Sequence, residues 1–214
     1  MGREILTSIF STITLILLAL FFSACSESSV SSRISSKSLD PVLRERMEKD
    51  VFFRSEDNSP ILPNERPDFH GLSYYPVNPD LRFSVTLHRY ARPNSIRLTT
   101  NTGEIRSGLR YGYFDFKVAN QNCRLQVYRL EDAASHEASL FIPFRDATSG
   151  KETYGAGRYI DLKENTSGIY DLDFNRAYNP YCAYNTKYSC PVPPAENTLG
   201  VPIRAGEKKY SEEH

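Results

Sequence analysis

From Leu81 to Phe174 the apolar residues of this chain fall, in run after run, at every second position, and that period limits the fold more than any other feature. Leu81, Phe83, Val85 and Leu87 alternate with Arg82, Ser84, Thr86 and His88. Ile96, Leu98 and Thr100 repeat the pattern, and Asn101-Thr102-Gly103 supplies a turn into Ile105, Ser107, Leu109 and Tyr111. Tyr113 to Val118, Cys123 to Val127, Leu140 to Phe144, Arg158 to Leu162 and Ile169 to Phe174 are further short runs of strand-forming residues. Successive strand side chains point to opposite faces, so these runs are half-buried strands. Seven or more of them with turns between predict a mainly β domain, an antiparallel sandwich or a barrel-like sheet.

Two segments depart from that period. Asp40-Pro41 opens a short N-terminal helix, because Asp is a good N-cap and Pro suits the first helical turn. In VLRERMEKDVFF, Leu43, Met47 and Val51 recur at four-residue spacing. That stripe is expected to lie on a sheet, with Arg44, Glu45, Arg46, Glu48 and Lys49 on the solvated face. The stretch from Asp171 to Glu207 has almost no periodic apolar pattern, but many tyrosines and prolines and two cysteines. Ordering a residue costs about 1–2 kcal/mol of backbone entropy, so a long irregular run needs staples or a purpose.

The 214 residues suffice for one domain with a core. We expect it to span residues 39–210, with 211–214 a tail. Ahead of it, residues 1–24 read as a signal peptide: Ile5 to Phe22 carry no charge and Ser23-Ala24-Cys25 follow. This resembles the lipobox of bacterial lipoproteins, which implies lipidation at Cys25 and an anchor in the cell envelope, the outer membrane if the host has two. The alternative is a transmembrane anchor. Residues 25–38 are a serine-rich tether. Lys plus Arg number 26 and Asp plus Glu number 26, so no basic excess points to nucleic acid. Cofactor and oligomeric state have no signature.

Candidate chemistry lies in two irregular segments. Residues 145–158 hold three glycines with Asp146, Glu152, Tyr154 and Arg158. Arg145 stands where the first glycine of a phosphate loop belongs and Glu152 where its Ser or Thr belongs, so this is not a P-loop. It is an anion cradle formed by the backbone with Lys151 and Arg158, or a tight hairpin in which Asp146 caps amides and pairs Arg158. In the second segment Asp173, Asn175, Arg176 and Asn179 cluster, with Glu196 and Asn197 after the prolines. These residues suit acid/base work or a polar ligand; equally, they suit a loop satisfying its own backbone, with Arg176 and Glu196 bridged. Tyr178, Tyr181, Tyr184 and Tyr188 could stack on a ring or pack over prolines. Cys182 and Cys190 are spaced for a disulfide in an exported protein. Zinc would need two more ligands, and His70, His88, His136 and His214 are scattered, so a disulfide is expected over a metal; the alternative is that Cys123 joins Cys182 and Cys190 at a metal. Cys123 on a strand reads as a small buried hydrophobe.

FRDATSGKETYGAGRY, DFNRAYNPYCAYNTKYSCPVPPAEN, IRAGEK and the earlier SPILPNERPDFHGLSYYPVNPDLR resemble the signature blocks of the domain-of-unknown-function family 1684, from about Val42 to Lys208. The resemblance implies no activity and transfers no catalytic residue. The expectation is therefore an envelope lipoprotein that binds a small polar or anionic ligand, or a protein partner, through the two irregular segments. The alternative is an acid/base hydrolase using the same carboxylates and arginines.

Overall fold

Leu87 alone separates two sheets in the computed structural model, which describes residues 40–131 and 139–210. The segments read as signal peptide and tether, with Cys25, His136 and the tail with His214, lie outside the described residues. Before Leu87 comes β1 (Arg82–Thr86), and after it β2 (His88–Thr99), β3 (Ile105–Val118), β4 (Gln121–Leu130), β5 (Ser139–Phe144), β6 (Arg158–Lys163) and β7 (Ile169–Asp173). β2 to β6 form one antiparallel sheet in chain order; β1 and β7 pair antiparallel in a second. Neither closes into a barrel.

The period-two runs become strands because each has a face to bury. Cys123, Leu125 and Val127 of β4 meet Leu140, Ile142 and Phe144 of β5 in a core completed by Tyr170 and Leu172 of β7. Leu199, Val201, Ile203 and Ala205 of the C-terminal stretch close that core. Tyr128, Phe141 and Tyr159, one residue out of phase, bury in a separate cluster with Leu98. Strand register carries both sets, since neighbouring residues face opposite ways. Two expected strands, Ile105–Tyr111 and Tyr113–Val118, are one strand carrying a register shift between Arg110 and Gly112. Its turn into β4 is tight: Ala119 and Asn120 both take positive φ, at 45° and 66°. That is the backbone of a two-residue hairpin turn.

The helix corrects the sequence reading. α1 (Pro41–Ser55) is capped as expected, the Asp40 carboxylate accepting the Val42 N–H at 2.8 Å. Its faces are reversed. Met47 and Val51 are 61% and 56% exposed, and Leu43 also faces solvent. The inward face is Val42, Arg46, Lys49 and Phe53, because α1 packs on irregular polar segments instead of on a sheet. Arg46 donates to the carbonyls of Tyr75 and Asn175 at 2.9 and 3.0 Å. Phe53 is fully buried with Ile61, Phe69, Ala183 and Tyr184. No helix among the described residues is long and apolar enough to cross a membrane.

Candidate functional site

The glycine-rich segment between β5 and β6 folds inward. Asp146 Oδ1 accepts from the Thr148 N–H at 2.8 Å, the Thr148 hydroxyl at 2.6 Å and the Ile203 N–H at 3.1 Å. Its Oδ2 accepts from Arg158 Nη2 at 2.9 Å. Arg158 has no exposed surface and also donates to the carbonyls of Ile203 at 2.8 Å and Glu207 at 3.1 Å. Beside it Gly157 takes φ 108°, and a Cβ there would meet the Phe144 carbonyl at 2.6 Å. This pair ties residues 203–207 to the large sheet, and neither side chain has any surface to offer a ligand.

The other predicted residues are similarly occupied. Asn197 is buried where β4 and β5 share the single register pair Tyr128 and Phe141. Its carbonyl oxygen accepts the Gln126 N–H at 2.7 Å and its amide donates to the Gln126 and Pro143 carbonyls at 2.9 and 2.8 Å. Asp173 accepts from the backbone and side-chain amides of Asn175 at 2.9 and 2.7 Å, and Asn175 clasps the backbone of Asn78. Glu152 is held by Arg204 at 2.8 Å and by the Tyr75 hydroxyl at 3.0 Å, which keep its carboxyl below the usual carboxylate range. Arg176 and Glu196 are not bridged: Arg176 pairs with Glu45 of α1 at 2.8 Å, while Glu196 takes Arg110 and the Tyr128 hydroxyl. Spacing along the loop does not bring them together, because the prolines carry Glu196 across to the large sheet.

The least committed polar groups surround a residue the sequence analysis passed over. Glu207 is 1% exposed, yet it is ionisable. Gly206 makes its position possible: at φ 75° a Cβ would lie 2.4 Å from the Ala177 carbonyl, so only glycine lets the backbone come so close. Glu207 accepts from Lys49 Nζ at 2.5 Å, from the Asn179 N–H at 2.8 Å and from the Tyr184 hydroxyl. Asn179 also donates its side-chain amide to the Lys208 carbonyl at 2.7 Å. Burial, then the negative charge of Glu207, pushes the Tyr74 and Tyr184 hydroxyls far above the usual tyrosine range. The Tyr74 hydroxyl, Arg46 Nε and Asn179 Oδ1 are buried with no hydrogen-bond partner among the described residues. Buried polar atoms are rarely left so. Arg46 lies 4.5 Å over the Tyr74 ring, and burial lowers its pKa.

Lys49 stands where two hollows meet. On one side is a small cavity of about 170 Å³ with Val42, Arg46, Tyr74, Asn175, Ala177 and Glu207 in its wall. On the other is an open cleft of about 770 Å³ lined by Phe52, Phe53, Tyr159, Tyr178, Tyr181 and Tyr188, with Pro180 and Cys190. Tyr178 lines both, and the Lys49 ammonium sits 5.0 and 5.2 Å from the ring centres of Tyr178 and Phe53. The rings brace one another edge to face, Tyr181 against Tyr188 at 5.2 Å and Tyr159 against Tyr178 at 5.7 Å. Thus three of the four tyrosines singled out in the sequence line the cleft, and Tyr184 is buried beneath it. The clue to Lys49 was the helical stripe Val42, Arg46, Lys49, Phe53, whose apolar ends imply that the charges between them face inward.

Cys182 and Cys190 are free thiols in the structure, side by side, with the Cys182 N–H 3.4 Å from Cys190 Sγ. Among the described residues no group of three or more His, Cys, Asp or Glu could hold a metal ion. Cys123 is buried in the main core.

The chain resembles a solution NMR structure of an uncharacterised protein of Haloarcula marismortui, with 38% identity and a TM-score of 0.63 over 81% of this chain and 94% of that one. No curated protein matches it. Residues 67–208 match the family described as protein of unknown function DUF1684. That range takes in Tyr74, the four tyrosines of the cleft, both cysteines and Glu207, whereas Arg46 and Lys49 precede it. The chain belongs to the DUF1684 family.

Proposed function

We propose that this protein is a cell-envelope lipoprotein, anchored through Cys25, that binds a small amphipathic anion in the cleft between α1 and the C-terminal stretch. The observation that carries the reading is the placement of one half-buried ammonium, Lys49, at the floor of a cleft walled by six aromatic rings. A cleft of about 770 Å³ lies within the usual size of small-molecule sites, about 300–1,000 Å³. The rings supply apolar area for a flat or aliphatic body. Lys49 supplies charge for a carboxylate, sulfonate or phosphate head, held in place by Glu207. Glu48 is the other charged residue of the wall, and it is exposed at the rim.

The acid/base hydrolase reading has weaker support. Glu152 and Glu196 are each held by an arginine, and Asp146 and Asp173 are buried with backbone amides on their oxygens. All four are already engaged within the fold.

Binding of anilinonaphthalene sulfonate, an aromatic anion, tests the reading by fluorescence titration of the folded protein. One site is expected. Lys49→Met together with Glu207→Gln, which removes both charges and leaves neither stranded, should weaken binding roughly tenfold to hundredfold, the worth of a charged hydrogen bond of about 1.5–3 kcal/mol. Unchanged affinity in the double variant overturns it.

A further inference from the structure

The two cysteines are positioned by different parts of the fold and are unequal in access. Cys190 is fixed by the turn between β2 and β3: its N–H donates to the Asn101 side chain at 2.7 Å and its carbonyl accepts from the Asn101 N–H at 3.1 Å. Ser189 is held by the hydroxyls of Thr100 and Thr102 at 2.9 and 2.8 Å. Cys182 sits in the short turn Tyr181–Ala183 and is 7% exposed, with the Tyr154 hydroxyl 3.8 Å from its sulfur. Cys190 is half-buried and its side chain lines the aromatic cleft. Cys182 borders a different hollow, with Gly150, Tyr154 and Lys209, so of the two only Cys190 borders the aromatic cleft.

We propose that Cys190 and Cys182 are an exchanging thiol pair, with Cys190 attacking a low-molecular-weight disulfide admitted by the cleft and Cys182 resolving the adduct. The Cys190 thiolate forms a bond to one sulfur of the incoming disulfide, and the other sulfur leaves as a thiolate that takes up a proton. Cys182 then loses its proton and attacks Cys190 Sγ, expelling the second small thiol. Two electrons pass from the pair to the small disulfide, which becomes two thiols, while Cys182 and Cys190 become a disulfide. A small thiol in excess runs the same steps backwards.

The electrostatics favour this order. The Cys182 thiol donates to Cys190 and, against the effect of burial, helps to draw its pKa down to about 7. The backbone amides of Cys182 and Tyr181 and the Arg106 charge act the same way. An attacking thiol works best with a pKa near ambient pH. Cys182 is raised by its bond to Cys190 and by burial. The inference does not depend on anion binding, since it concerns sulfur chemistry at one edge of the cleft.

The test uses the full-length protein in detergent, reduced and then treated with oxidised glutathione, with intact mass and peptide mapping as readouts. The wild type should end with a Cys182–Cys190 bridge and release two equivalents of reduced glutathione; excess reduced glutathione should reopen it. Cys182→Ser should stop at one glutathionyl group on Cys190. Cys190→Ser should leave Cys182 unmodified on the same timescale. A wild-type bridge that reduced glutathione cannot open marks a permanent staple and overturns the proposal, whether or not the variants fold. So does Cys182 in Cys190→Ser reacting as fast as Cys190 in Cys182→Ser.

Discussion

Two buried carboxylates each meet a cation in this protein, and their surroundings differ in kind. Asp146 and Arg158 have no side-chain exposure, and each oxygen of Asp146 has a donor within the fold. Glu207 is as deeply buried, but its cation Lys49 retains 22% of its side-chain exposure and borders an open cleft. Tyr74 and Arg46 nearby keep polar atoms without partners. The first pair is what a fold needs in order to hold an irregular segment on a sheet. The second keeps spare hydrogen-bonding capacity next to a ligand-sized space. Burial of charge alone therefore does not distinguish the two pairs; the cleft beside Lys49 does.

Arg158→Met should show the largest effect. It leaves the Asp146 carboxylate buried without its cation, which costs about 3–5 kcal/mol. At about 2–4 °C per kcal/mol for a domain of this size, Tm should fall by roughly 6–20 °C in a calorimetric scan. Glu207→Gln should cost less, about 1.5–3 kcal/mol by urea titration, because Lys49 can turn to the water of the cleft. If Glu207→Gln is the more destabilising of the two, the contrast between a closed and an open pair is wrong.

An acid titration sharpens the same contrast. Burial would raise the Glu164 pKa, but the Tyr111 hydroxyl and the Arg129 and Arg89 charges outweigh it and hold the group below its ordinary 4.5. A carboxylate depressed in the folded state contributes stability that is present above 4.5 and is lost as pH falls through the lower folded value. Wild type should therefore lose more stability than Glu164→Gln between neutral pH and the range below 4.5. Parallel curves would dismiss the Glu164 network. Met47→Gln should have the smallest effect, within about 0.5 kcal/mol, as expected for an exposed site. A loss of several kcal/mol there would restore the helix face that periodicity first suggested.

The strands were legible because each short run buries one face against a neighbour, and that alternation is local. The Asp40 cap was legible because it too is local. The inward face of α1 was not, because Leu43, Met47 and Val51 form the better apolar stripe. Arg46 and Lys49 face inward only because Asn175 and Glu207, far along the chain, lie beneath them. Periodicity says which residues share a face but not what that face will meet. Glu207 itself was inside a quoted block, IRAGEK, yet a lone carboxylate near the chain end carries no pattern. The polar residues of the two irregular segments do not gather at one place: they bind backbone and partners in separate parts of the fold, which their spacing along the chain does not show.

Amide chemical-shift mapping with anilinonaphthalene sulfonate tests the central claim most directly, because the molecule offers the probe two apolar surfaces. The account predicts shifts at Phe52, Phe53, Tyr178, Tyr181 and Tyr188, around Lys49, that are lost in the Lys49→Met/Glu207→Gln variant. Shifts confined to the exposed stripe of Leu43, Met47 and Val51, or unchanged in that variant, would contradict it.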